Sequence, residues 1–490
     1  MKFMKIKKYA LGSLLTIAMV SACTSDFEEI NTNPNGPVTI PSYLHLPSMV
    51  EATADLLYST FNGGDMGATW AQHWGKVQYN DEERYAPRVT SINDWWDLLY
   101  ARPLMDSKKM YQFAREEGND VSRGVALVWQ TYVFSLLTDS FGDIPYSEAL
   151  RAEDGITLPT YDRQEDIYPA MIDSLESAIN YLNGAGDIPA VQDIMYAGDI
   201  GKWEKFANSL RFRLLMRMSA KADVGAELQE IANSGVYFTS NADNAQLNYM
   251  EQNPNANPVW NTVIFGTRLE WRINESLVTI MQGLNDPRLE VYAQPNADGE
   301  IRGAGPGVEE PTTNGYDYAN TSMFGEYFLQ PSTPAVFMDY AELSFLMAEA
   351  AKKGYISGGD VAAEAFYNEG IKASFNTYNG FVNEDGSEVT LVAETYLASS
   401  GVAYNPANAL TQIGVQKWIA LYGQGFEAWT EYRRTKLPVL SPAVDPIGIT
   451  EIPSRYFYPS NEQSLNQTSY NAAKSAMGGD ELTTKVWWMQ

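Results

Sequence analysis

Residues 343–371 read LSFLMAEAAKKGYISGGDVAAEAFYNEGI, and two apolar stripes run through them. Leu343, Leu346 and Ala350 make the first, and Ala363, Tyr367 and Ile371 the second. Steps of three and four residues place each set on one face of a helix. Gly354 and Gly358-Gly359 stand between them, where glycine ends one helix and lets the chain turn back. The stretch therefore predicts two antiparallel helices packed through their apolar faces.

The same spacing recurs outward from this pair. Leu46, Met49, Val50, Leu56, Leu57 and Phe61 share a face, and Trp95, Leu98, Leu99 and Leu104 begin a helix that Pro103 kinks. Val121, Val125, Val128, Tyr132 and Leu136 form another stripe. Asp162 followed by Glu165 has the form of a capping box, and opens a helix carrying Ile167, Ile172, Leu175, Ile179 and Leu182. Trp203, Phe206, Leu210, Leu214 and Met218 mark the next. Later helices are expected over Ile273 to Leu284, Val336 to Lys353, Val361 to Tyr378 and Leu410 to Gly423. The fold class is thus all-α. Ala363 and Tyr367 stand four apart, like the small and aromatic positions of a tetratricopeptide second helix, although the period is irregular. Residues 238–331 differ in being rich in Asn, Pro and Gly, with Asn253-Pro-Asn-Ala-Asn-Pro258 and Gly303-Ala-Gly-Pro-Gly307. Loops this long in a compact protein are usually functional or disordered. No linker-like run interrupts the rest, so residues 41–490 read as one domain.

The N-terminus has a different character. Lys2, Lys5, Lys7 and Lys8 precede the apolar run Ala10 to Val20, and Val20-Ser21-Ala22-Cys23 ends in small residues before the only cysteine. This layout predicts a secretory signal over 1–22, cleavage before Cys23 and lipid on its sulfur. The apolar run is shorter than the roughly 20 residues a transmembrane helix needs. Residues 23–40, with Asp26, Glu28, Glu29 and a turn-rich Asn31 to Gly36, read as a lipidated acidic tether. Asn31, Asn33 and Asn35 mimic a calcium loop, but position twelve is Ser42 rather than glutamate, so no metal is expected there.

Charge and motifs exclude more than they select. The chain has 34 basic and 61 acidic side chains; without the four signal lysines it keeps 30 against 61, a net charge of −31. Such a surface disfavours nucleic acid and anionic headgroups as partners. The chain past Cys23 has no thiol, hence no disulfide, cysteine zinc site or cysteine nucleophile. Only His45 and His73 are present, and no Gly-x-Ser-x-Gly, His-Glu-x-x-His or phosphate-loop pattern occurs. No cofactor and no catalytic residue are expected. A glycoside hydrolase, which needs only two carboxylates, is the alternative from another class.

Aromatic residues are the remaining resource: 12 Trp, 30 Tyr and 19 Phe. Trp203, Phe206 and Trp418 lie at core spacing, whereas others lie in loops. Trp70, Trp74 and Tyr79 cluster with Asp65, Gln72, His73, Gln78 and Asn80, while Trp260, Asn261, Trp271, Tyr316 and Tyr318 border the irregular region. Flat rings stack on the CH-rich face of a sugar and neighbouring amides and carboxylates bind its hydroxyls; the same groups can hold an extended peptide. The expected ligand site is therefore Asp65, Trp70, Trp74, Tyr79, Asn80, Trp260, Asn261, Trp271, Tyr316 and Tyr318.

Eight segments in order carry a family resemblance. They are Asp26 to Gly36, Thr138-Asp-Ser-Phe-Gly-Asp-Ile-Pro-Tyr-Ser-Glu-Ala149, Pro159-Thr-Tyr-Asp-Arg-Gln-Glu165, Lys202 to Arg211, Asn285-Asp-Pro-Arg-Leu289, Asp339 to Leu343 with Ala348-Glu-Ala350, Gly425-Phe-Glu-Ala-Trp429 to Arg433-Arg434, and Ile452 to Pro459. Over essentially the whole chain past the signal, the sequence resembles the SusD/RagB-like nutrient-binding outer-membrane lipoproteins of Bacteroidetes, in particular the second SusD-like subfamily. The resemblance implies about four tetratricopeptide-like pairs scaffolding a loop-rich second half. It also implies a lipid-anchored cell-surface protein that captures oligosaccharide, or alternatively peptide, as the lid of a SusC-like TonB-dependent transporter. Glu427, Trp429, Arg433 and Arg434 then read as ties between helices.

Overall fold

The computed structural model describes residues 40–490; the expected signal, Cys23 and the tether up to residue 39 lie outside the described residues. Helix α1 (Leu46–Tyr58) passes into a π-helical segment, Thr60–Ala68. Helices α2 (Val89–Leu99) and α3 (Met105–Glu117) are joined by a π-turn, Tyr100–Leu104, that takes up Pro103. A wider turn accommodates a residue that has no N–H to donate. Gly118, at φ +71°, ends α3, and Asn119 caps α4 (Asp120–Phe141) by accepting the Ser122 N–H at 3.0 Å. Then come α5 (Gln164–Leu182), α6 (Ile200–Met218), α7 (Gly225–Ser234), α8 (Glu275–Gly283), α9 (Tyr340–Lys353), α10 (Gly359–Asn376), α11 (Ala409–Ala420), α12 (Gly425–Thr435) and α13 (Gln467–Met477). Two small antiparallel ribbons complete the unit Ser42–Gln490: β1 (Trp74–Lys76) with β3 (Trp271–Ile273), and β2 (Ala245–Leu247) with β4 (Ala335–Met338).

The architecture is all-α as expected: α3, α4, α5 and α6 pack each against the next, α9 packs against α10, and α11 packs against α9. The α9–α10 pair turns through Gly354 and Gly358, at φ +78° and +109°. Gly370 lets the two helices close: a Cβ there would lie 2.8 Å from the Phe345 ring. Ala363 and Tyr367 are fully buried in this contact, as their spacing predicted.

Three local expectations change. Val336 belongs to strand β4, and α9 starts later, where Asp339 accepts the Glu342 N–H at 2.7 Å. Likewise Ile273 closes β3 before Asn274 caps α8. Short apolar runs do not separate strand from helix by period alone. Asp162 is not the cap of α5: its carboxylate accepts the N–H groups of Tyr146 and Ser147 at 3.0 and 2.8 Å. Asp143, twenty-one residues upstream, instead accepts the N–H of Gln164 at 2.8 Å.

Buried charges bind the pairs to one another. Arg217 of α6 reaches Asp139 of α4 at 2.6 Å and also contacts Glu427 and Glu431 of α12. Arg213 bonds Glu342 of α9 through Nε at 2.6 Å, and Arg434 bonds Glu349 at 2.8 Å. Trp429 donates its indole N–H to the Pro453 carbonyl at 2.9 Å, under the Arg433 guanidinium 3.6 Å from its ring. Charges taken from water must be paired, and here the pairing fixes how the helices stack.

Candidate functional site

The β1–β3 ribbon assembles what the sequence keeps far apart. Its register sets Trp74 opposite Ile273, Gly75 opposite Arg272 and Lys76 opposite Trp271. The segment 302–322 is sewn to its far edge: the Ala304 N–H bonds the Ile273 carbonyl at 2.8 Å, and the Ile273 N–H bonds the Ser322 carbonyl at 3.2 Å. Both expected aromatic clusters and the Tyr316–Tyr318 turn therefore lie on one frame.

Beneath the ribbon is a sealed polar foundation. Lys76 Nζ lies 3.0 Å from Asp65 and 3.3 Å from Glu82, and the Trp271 indole donates to Asp65 at 2.7 Å. Glu83 accepts the Lys76 N–H at 3.0 Å and the Asn274 amide at 3.3 Å. Burial pushes the Glu83 carboxyl up to about 8 and raises Asp65 despite the Lys76 ammonium beside it. These carboxylates are closed off from solvent, so they support the ribbon and do not form an acid–base pair at a cleft.

The ten expected residues divide accordingly. Asp65, Trp70, Trp74, Asn80 and Trp271 are buried. Trp70 packs edge-on against Trp429 and Tyr456 and donates to the Glu82 carbonyl at 2.8 Å; Trp74 packs on Phe324 at 4.6 Å; Asn80 bonds the Val308 carbonyl. Rings and amides so occupied present no free face to a sugar, which corrects the expectation for these five. Tyr79 and Tyr318 are 60% and 44% exposed, and Trp260, Asn261 and Tyr316 are half-buried. Tyr318 donates to Gln78 at 2.8 Å, Tyr316 to Glu275 at 3.0 Å, and Asn261 to the Ala256 carbonyl at 3.2 Å. Tyr79 has φ +53°, and Thr267 nearby has the same value. Left-handed backbone at non-glycine residues is costly and concentrates at functional surfaces.

Residues that pattern reading missed complete the face. Phe265, 68% exposed, stacks on Trp260 with centroids 5.7 Å apart and planes at 29°. The Arg268 guanidinium lies 5.0, 5.5 and 5.9 Å from the rings of Phe61, Trp271 and Tyr79, and Arg272 lies 5.1 Å from Tyr318. Ile264 and Leu269, in the same loop segment, are also exposed. In the π-helical segment Asn261–Phe265 Val263 is buried, while Ile264 and Phe265 are exposed. Two groups of open rings result, Trp260 with Phe265, and Tyr79 and Tyr318 with Arg268, Arg272 and Gln78 beside them.

The helical scaffold agrees with the comparisons with known proteins. A SusD-like model of the second type, described as "Starch-binding associating with outer membrane", matches residues 34–459. The chain belongs to that SusD-like family. Among solved structures it is similar to a chitin-binding protein at 26% identity and a TM-score of 0.77, over 91% of this chain and 99% of that one. A SusD homologue from Bacteroides fragilis is 26% identical, with a TM-score of 0.76 and 92% and 99% coverage. Another, from Bacteroides uniformis, shares the fold at 24% identity and a TM-score of 0.77, over 91% of this chain and 99% of that one. No curated protein matches the sequence. Among the described residues no helix is long and apolar enough to cross a membrane.

Proposed function

We propose that the protein is a non-enzymatic surface lipoprotein that captures an oligosaccharide on the Tyr79–Phe265–Tyr318 face and delivers it to a SusC-like TonB-dependent transporter, for which it serves as lid. What supports this reading is the exposure of Tyr79, Phe265 and Tyr318 on loops around the ribbon, with Gln78 bonded to Tyr318 and Trp260 stacked on Phe265. Sugar recognition uses that combination, because CH-rich pyranose faces stack on rings while hydroxyls need fixed donors and acceptors. The family description, starch-binding and associated with the outer membrane, supports the class of ligand and the location. Lipid on Cys23 supplies the attachment in this reading, since the described residues contain no spanning helix.

Hand-over to a transporter requires release, so affinity is micromolar to millimolar, about −8 to −4 kcal/mol. Titration of the protein with a panel of soluble glycans and peptides, read by tryptophan fluorescence and calorimetry, tests the assignment. Retention of a glycan without liberated reducing ends is expected, with Phe265→Ala and Tyr79→Ala each weakening it. Reducing ends released by the protein alone would make it a hydrolase, and binding confined to peptides would transfer the role to peptide capture. Co-isolation of a β-barrel transporter from detergent-solubilised membranes, lost with Cys23→Ala, is the corresponding result for partner and anchor.

A further inference from the structure

Away from the aromatic face, an open groove of about 420 Å³ lies between the end of α2, the loop after α4 and the segment before α13. Trp96 and Tyr100, with ring centroids 5.1 Å apart, line one side; Leu150 and Pro159 are among the apolar residues of the other, and Asp97 and Glu462 stand at the edge. The walls are held firmly. Tyr100 donates to the Pro145 carbonyl at 2.6 Å, and Asn466 bridges the Pro159 carbonyl and Glu462 at 2.9 and 3.2 Å.

The charges of this groove are unbalanced. No Lys or Arg lines it. Glu462 takes the Tyr161 hydroxyl on one oxygen at 2.6 Å, and among the described residues its other oxygen and both oxygens of Asp97 have no hydrogen-bond partner. Of the nearby basic side chains, Lys109, Arg151 and Arg163 are engaged on Glu153, Asp154 and Glu165, and Lys108 bonds the Leu150 carbonyl behind the wall without reaching Asp97 or Glu462. Partial burial, then Glu462, then Asp94 raise the Asp97 carboxyl, as expected where like charges face one another without a counter-ion.

We propose that this groove is a second binding site, for a small organic cation: a primary ammonium on an apolar body of about lysine or hexosamine size. The ammonium meets Asp97 and Glu462 at the edge, beside Tyr100, and the body lies on Leu150 and Pro159. The volume falls in the range of small-molecule sites, about 300–1,000 Å³. A purely hydroxylic ligand would leave this negative potential uncompensated.

Two cations and their neutral counterparts test the site by calorimetry at low salt on the full chain. The pairs are Nα-acetyl-lysine methylamide with the norleucine analogue, and glucosamine with N-acetylglucosamine. At least one cation should bind about tenfold more tightly than its neutral partner. Asp97→Asn combined with Glu462→Gln should abolish that preference, as should high salt. Both carboxylates are at least partly exposed, so the variant should keep its melting temperature. Binding of the lysine derivative alone identifies a peptide side chain as the source, and of glucosamine alone an amino sugar. Equal affinity for charged and neutral members, unchanged preference in the double variant, or no binding by either cation overturns the proposal. Ligand capture at Tyr79 and Phe265 is read separately, because those residues do not line this groove.

Discussion

Glu83→Gln tests whether the foundation under the aromatic face titrates as its burial requires. The wild-type carboxyl is carried from 4.5 to about 8 by loss of solvent, only partly offset by N–H groups of Gly307 and Lys76. Because the folded value lies above the unfolded one, the folded chain holds an extra proton between these limits. The stabilisation is complete below about pH 4.5 and gone above about 8. At about 1.4 kcal/mol per pH unit, the ceiling of this contribution is ~5 kcal/mol. Glutamine cannot titrate, and its amide faces the Asn274 donor, losing one bond worth about 1 kcal/mol. Urea unfolding of both proteins from pH 5 to pH 9 measures the difference directly, and subtracts the slope from Glu342, which burial pushes up to about 7. The variant should be the less stable at pH 5 and should gain on the wild type as pH rises. A difference that stays constant across the range would refute a raised Glu83 carboxyl.

Other substitutions separate scaffold from site. Trp70→Ala should cost about 3–5 kcal/mol of stability and leave the affinity of the refolded fraction unchanged, since the ring is core. Tyr79→Ala should do the reverse, leaving the denaturation midpoint within about 0.5 kcal/mol of wild type while weakening glycan binding by up to a few kcal/mol. Arg217→Ala removes the buried cation shared by Asp139, Glu427 and Glu431, of which Glu431 alone keeps close cations in Lys417 and Arg434, and should destabilise by about 3–5 kcal/mol. Glu349, held down at about 2 chiefly by Arg434, lends stability above pH 4.5 that is lost as pH falls towards 2. Glu349→Gln should therefore cost about 3 kcal/mol at pH 7 and almost nothing at pH 2, as followed by circular dichroism during acid titration.

Helix spacing survives translation into structure because it is local. Leu343 to Ile371 predicts its own pair, and Gly354 and Gly358 adopt the left-handed backbone that ends and restarts it. Val336 and Ile273 went astray because a strand of three or four residues is too short to show a period of its own. Asp162 had a local capping pattern, but the demand for its carboxylate came from the turn at Tyr146 and Ser147. Aromatic content by itself did not separate buried rings from exposed ones in the expected set. Trp70 and Trp74 look like Tyr79 in sequence, and differ only in whether Trp429, Tyr456 or Phe324 covers the ring.

By itself the chain determined its helical class, its pairing of neighbours, its acidity and its family, because each is written in spacing or composition within short windows. Tertiary structure alone decided which rings meet solvent. Exposure depends on contacts between residues some two hundred positions apart, such as Lys76 opposite Trp271. It also formed the acidic groove, whose walls come from α2, the loop after α4 and the approach to α13. Their shared electrostatic field exists only once folding has brought Asp97 and Glu462 to one edge.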